Sequence, residues 1–276
     1  MEVYSDVSCA LGEGPLWHPE RKELFWFDIL GMRLFSKGRD NPGGSWQFDE
    51  YVSAAGWVDH DTLLMASATG LWRYTIGTVD RELVVPLEAD TPVTRSNDGR
   101  ADPQGGFWIG TMGINAEAYA GAIYRYYKGE LRQLFDRITI SNAICFAPDG
   151  KTAYFADTVS RRIQKVALDA DGWPAGEAET FVDLRAEELN PDGAVVDAAG
   201  NLWNAQWGAG RLACYAPDGT FLRAVSVPTS QTTCPAFEGT TLYVTTAADG
   251  LDDPAAGLTY AADVGIAGQR EHQVIL

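Results

Sequence analysis

Four oxygen-bearing side chains recur at one address in this sequence. Glu13, Asn97, Asn142 and Asp192 each stand six residues before the second residue of a turn, the turns being His18-Pro19-Glu20-Arg21, Asp102-Pro103-Gln104-Gly105, Ala147-Pro148-Asp149-Gly150 and Asp197-Ala198-Ala199-Gly200. Residues that repeat in register around a cyclic array converge on its axis. Two acids and two amides would therefore meet in one cavity, which is the donor set of a hard divalent cation. Taken singly, each is an ordinary turn or capping residue. The shared register argues for more than that, because two carboxylates crowded on an axis cost several kcal/mol or are forced toward protonation, and a bound dication offsets both charges. All-oxygen ligation suits calcium, magnesium or manganese, with zinc and ferrous iron left open.

The elements that must hold these residues follow from the runs after each turn. Leu24-Phe25-Trp26-Phe27, Phe107-Trp108-Ile109, Ala153-Tyr154-Phe155 and Leu202-Trp203-Asn204 are aromatic or apolar strand signals, so each address falls at the start of a strand entering a hairpin. Two further units, Gly56 to Met65 and Pro235 to Val244, complete the series, with turns near residues 20, 60, 104, 149, 199 and 239. That spacing is the period of a four-stranded propeller blade. The pattern predicts an all-β chain, a six-bladed β-propeller with a central metal-binding channel, built as a single domain over residues 1–276. Leu184 to Leu189 reads as a loop, and Asp169-Ala170-Asp171-Gly172, which opens like a calcium-binding loop, reads as a hairpin turn because the ligand pattern stops and Pro174 intrudes. Met1 to Val7 and Gln273-Val274-Ile275-Leu276 both look strand-like, so the two termini are expected to share one blade and close the ring. The fifth and sixth matching addresses hold Ala54 and Thr232, small residues expected to leave room for a substrate beside the metal.

Composition narrows the function. A formal charge of −17 excludes partners that depend on clustered Lys and Arg, so neither nucleic acid nor an anionic membrane is expected. No apolar run approaches the length of a membrane span and the first residues lack a signal-like pattern, so a cytoplasmic location is the expectation. Cys9, Cys145, Cys214 and Cys234 lie in apolar runs without metal-type spacing and read as reduced, buried thiols. The serine nucleophile elbow, the dinucleotide-binding glycine motif and the P-loop are all missing, and three histidines, two in outer turns and one in the tail, do not make a zinc site.

With these residues in view, the chain resembles the senescence marker protein (regucalcin)/gluconolactonase family of sugar lactonases. The resemblance lies in Leu11-Gly12-Glu13-Gly14-Pro15-Leu16-Trp17, in the run from Arg95 to Pro103, and in Gly110-Thr111-Met112, Ser141-Asn142-Ala143, Tyr154 to Thr158 and Pro191-Asp192-Gly193, in the family's order over nearly the whole chain. It implies one divalent metal ion in the channel and hydrolysis of sugar (aldono)lactones, such as gluconolactone or a pentonolactone, to the aldonic acid. It further implies that Glu13, Asn142 and Asp192 bind the metal, that Asp192 is also the proton acceptor and donor, and that Arg95 and Asn97 contact substrate. Where some members carry a substrate-binding acid this chain has Asn115, with Glu117 nearby, which makes Asn115 a candidate contact and points to a different hydroxyl pattern.

The chemistry also stands on its own terms. Three oxygen ligands leave coordination positions open for a lactone carbonyl and a water, and a metal there acts as a Lewis acid that favours the transition state over the ground state. Asp192 would take the water's proton and return it to the ring oxygen, although a metal-bound carboxylate is a weakened base. The alternatives are a metal-dependent phosphotriesterase or non-sugar lactonase on the same scaffold, or a non-catalytic calcium-binding protein. The expected assembly is a monomer or a weak homodimer.

Overall fold

The structure, a computed structural model, describes residues 1–39 and 41–276. Its strands pair into six four-stranded antiparallel sheets; five are meanders running outward from an inner strand, and in the sixth the outermost strand comes from the start of the chain. The inner strands are Gly12–His18, Val52–Asp59, Thr94–Ala101, Ser141–Phe146, Asn190–Val196 and Thr232–Glu238, in blades one to six. Each packs against the inner strands of both neighbouring blades, and the sixth packs against the first, so the ring is closed. The predicted turns near residues 20, 60, 104, 149, 199 and 239 are the hairpins leaving these inner strands.

The core is divided by blade. Leu16, Phe27 and Met65 join blades one and two, and Leu64, Ile109 and Tyr126 join two and three. Trp108 with Phe155, Ala156 with Leu202, Trp203 with Phe237, and Trp17 with Tyr243 mark the four remaining junctions. Trp26, Trp108 and Trp203 occupy matching second strands of blades one, three and five and are almost wholly buried. Removing any of them would cost about 3–5 kcal/mol. Every blade thus has an apolar face on each side, and a channel with a rigid wall follows. The four cysteines are buried and unpaired, Leu184–Leu189 is a loop, and the Asp169 carboxylate caps its hairpin by accepting the N–H groups of Asp171 and Trp173.

The termini depart from expectation in one respect. Glu2–Ser5 is the outer strand of blade six, paired with Thr259–Asp263 as a closing seam. The last residues are not a strand, and they lie elsewhere. From Gly268 the tail crosses the end of the channel where the inner strands finish: Gln269 Nε2 donates to the carbonyls of Phe146 and Val196, the Val274 N–H to Trp57, and the Ile275 N–H to Gly105. The alternation of Gln273 to Leu276 reflects one side chain buried against blades two and three, Val274, between exposed neighbours. No helix among the described residues is long and apolar enough to cross a membrane.

Candidate active site

The inner strands carry a β-bulge at matching places. The ladder register slips between Glu13 and Leu16, Ser96 and Gly99, Asn142 and Cys145, and Pro191 and Ala194. Such a bulge breaks the alternation of side chains and re-aims them. Glu13, Asn97, Asn142 and Asp192, at or beside these slips, line one cavity of about 170 Å³ together with Arg95 and Thr158. Leu11, Met112, Ile140 and Trp207 supply its apolar wall. The volume is that of about six waters, enough for one small molecule and an ion. A broader depression of about 890 Å³ lies at the tail end, but its Arg21 and Arg39 are paired with Glu23 and Glu238. Nothing there gathers unpaired buried acids.

Each functional side chain is held by specific neighbours. Gly14, at φ 54°, lets its N–H donate to Glu13 Oε2 at 2.9 Å, and a Cβ there would stand 2.2 Å from the Ser53 carbonyl oxygen. The Asp28 carboxylate accepts the N–H groups of Ala10 and Leu11 just before Glu13, and Asp157 does the same for Thr139 and Ile140 just before Asn142. Asn142 Nδ2 donates to Thr158 Oγ1 at 2.9 Å, and that hydroxyl gives its own proton to the Pro191 carbonyl at 2.7 Å. The Asn142 oxygen therefore faces Asn97, whose Nδ2 lies 3.3 Å away. Arg95 Nη1 donates to Asn97 Oδ1 at 2.8 Å, so one hydrogen-bonded row crosses blades three, four and five. On blade five, Asn204 Nδ2 holds the carbonyls of Asp192 and Gly193.

The acids of this cavity are buried without ion-pair partners of their own among the described residues. Burial, followed by the neighbouring Asp98 charge, pushes the Glu13 carboxyl up to about 8. Asp192 is raised by burial, then by Glu13 and Asp98. Asp98 is pushed up to about 6 by burial alone, against the lowering effects of the Ile144 N–H it accepts at 2.8 Å and of the Arg100 charge. Arg95 falls to about 10 on burial, which keeps it charged at neutral pH. The buried ion pairs among the described residues are Arg100–Glu271 and Arg125–Asp102, so neither Glu13 nor Asp192 has one. No trio of His, Cys, Asp and Glu stands at ligand spacing among the described residues, and the candidate donors are two carboxylates and an amide oxygen. That set fits a hard dication, whose charge matches the two unpaired acids.

Three residues picked out by the sequence lie outside the cavity lining. Asn115 does not line the cavity; it is exposed on the loop after Phe107–Gly113, with its Nδ2 on Glu117 Oε1 at 2.9 Å. Ala54 and Thr232 are fully buried and neither lines the cavity; at Ala54 the strands are close, since a Cβ on Gly14 would come within 3.1 Å of the Ala54 Cα. A small residue here admits a neighbouring strand, as close packing requires. Asp98, Thr158 and Asn204 received no role from the sequence, since their partners come from other strands or blades.

The fold is that of a closed six-bladed propeller with a small acid-and-amide cavity at the start of its inner strands, large enough for a small molecule and an ion. The family model described as SMP-30/Gluconolactonase/LRE-like region matches residues 11–248, and the chain belongs to that family. Among its relatives are the L-arabinolactonase of Azospirillum brasilense, 35% identical over 96% of this chain and 92% of the relative, and a pentonolactonase of Haloferax volcanii, 33% identical over 96% and 95%. The solved structure of a calcium-binding protein, regucalcin, from Agrobacterium tumefaciens superposes with a TM-score of 0.96 at 40% identity, covering 99% of this chain and 97% of that one.

Proposed function

We propose that the chain hydrolyses sugar aldonolactones with the help of one divalent cation held by Glu13, Asn142 and Asp192. The observation that carries this is the convergence of two unpaired buried acids, an oriented amide and a charged Arg95 on one 170 Å³ cavity. The lactonase relatives support the substrate class. The cation supplies Lewis-acid polarisation of the lactone carbonyl. Arg95, whose Nε has no protein partner, donates to the sugar's hydroxyl oxygens, Asn97 holds that guanidinium by accepting from its Nη1, and Trp207, Met112 and Ile140 cover the ring's C–H faces and limit water. Asp192 accepts the proton of the attacking water as its oxygen bonds to the carbonyl carbon. When the ring C–O bond breaks, the same proton passes from Asp192 to the departing ring oxygen, giving the open hydroxy acid.

The test is a lactone panel on metal-stripped protein, restored one ion at a time, alongside Asp192→Asn. Turnover is expected only with a cation and fastest on hydroxylated five- or six-membered lactones, and Asp192→Asn should lower kcat by about 10³-fold or more. A phosphotriester or a hydroxyl-free lactone turned over faster than any aldonolactone would move the assignment to another hydrolase. Cation binding without any turnover would leave a binding protein, in keeping with the calcium-binding relative.

A further inference from the structure

Six ionisable groups are buried along the channel: Glu13, Asp98, Asp192 and Glu271 against Arg95 and Arg100, each less than a tenth exposed. Four carboxylates and two guanidiniums leave a formal charge of −2, which is the charge a dication cancels. The balance depends on the tail. Arg100 projects from the same inner strand as Asp98, and its field lowers the Asp98 carboxyl. Yet its ion pair is with Glu271, Nη1 to Oε1 at 2.5 Å, and Nη2 donates to the Pro235 carbonyl at 3.2 Å. Glu271 is fixed in turn, because its carbonyl accepts the Trp57 indole N–H at 3.0 Å. Asp98 has no cation of its own among the described residues; its hydrogen bond is the Ile144 N–H.

We propose that Glu271 neutralises Arg100 so that the Asp98 charge remains directed at the cation cavity, and that the C-terminal tail thereby sets cation affinity from the opposite end of the channel. The inference rests on the cation reading above. Opposite-signed consequences separate it from a merely structural role for the tail. Glu271→Gln leaves Arg100 uncompensated and adds one positive charge to the channel. Arg100→Gln leaves Glu271, which either stays ionised and adds negative charge or takes up a proton and restores the original −2. Damage to packing would weaken binding in both variants, whereas a charge effect weakens it in the first alone.

The experiment is isothermal titration of metal-free full-length protein with Mn²⁺ and with Ca²⁺, with thermal unfolding of each variant as a folding control. Glu271→Gln should raise Kd by about 5- to 50-fold. Arg100→Gln should bind at least as tightly as the wild type, and Glu271→Gln combined with Arg100→Gln should return to within about 3-fold of it. Asp98→Asn should weaken binding as Glu271→Gln does, and it gives a reading should the tail variant fail to fold. A Glu271→Gln protein that melts lower but keeps its Kd overturns the inference, as does a double variant no better than Glu271→Gln. Cation binding missing in the wild type would overturn it together with the cation reading, so the two failures are distinguishable.

Discussion

The orientation of a single amide decides whether Asn142 can serve as a ligand. Its nitrogen is claimed by Thr158 Oγ1, whose proton is committed to the Pro191 carbonyl, and only this arrangement turns the Asn142 oxygen away from Thr158. Ligand orientation of this kind typically changes metal affinity by about 10- to 100-fold. Thr158→Val keeps the shape and removes the acceptor, so cation affinity should fall by that amount, while Thr158→Ser should retain it. Titration with a divalent cation distinguishes the pair, and equal affinities would show that Asn142 does not need this partner. The sequence already displayed Asn142, by its register with Glu13 and Asp192, but not Thr158. A hydroxyl that bridges blades four and five has no local pattern, because its two partners are 16 and 33 residues away.

At the level of elements, the repeat was legible because each hairpin advertises itself locally, by a Gly, Pro or Asp turn followed by an aromatic run. The bulges that aim Glu13 and Asn142 were not, since they arise from a slip between paired strands rather than from any residue type. The tail misled for a related reason: Val274 and Ile275 alternate like a strand, but their N–H groups reach the carbonyls of Trp57 and Gly105, which are brought together only by the closed ring. The N-terminal strand behaves as expected and makes a stronger seam than its four residues suggest. Tyr4 donates to the Lys37 carbonyl at 2.6 Å and packs edge-on against Tyr243 at 4.8 Å, so the strand ties blade six to blade one. Deleting residues 1–8 exposes the edge of Thr259–Asp263 and removes about 2–4 kcal/mol of ladder and aromatic contact. The melting temperature should drop by roughly 4–8 °C, with aggregation through the open edge. A truncated protein that melts with the full-length one would show that three strands suffice to close the ring.

For the whole molecule, the channel places part of its acidic charge where water cannot screen it, so stability must depend on pH, and under the proposed reading a bound cation would control that dependence. In the cation-free protein Glu13 is raised by burial and then by Asp98, to about 8, and Asp192 is raised by burial and then by Glu13. An acid whose folded pKa exceeds its unfolded value binds more protons in the folded state. Its contribution is therefore fully present below the unfolded pKa of about 4.3 and is lost as pH rises through the folded one. The metal-free protein should lose stability, and melt progressively lower, as pH rises from about 5 to 8.5, because Glu13 and Asp192 titrate as a pair and must give up protons that the folded state holds. A dication displaces the shared protons and stabilises both ionised forms, so the same scan with saturating cation should be nearly flat, and affinity should climb with pH across the same window. Thermal unfolding at half-unit steps from pH 5 to 9, with and without cation, measures both slopes. Parallel slopes would mean that the ion does not sit between Glu13 and Asp192, whereas a slope removed by the cation assigns the pH sensitivity to the acids that bind it.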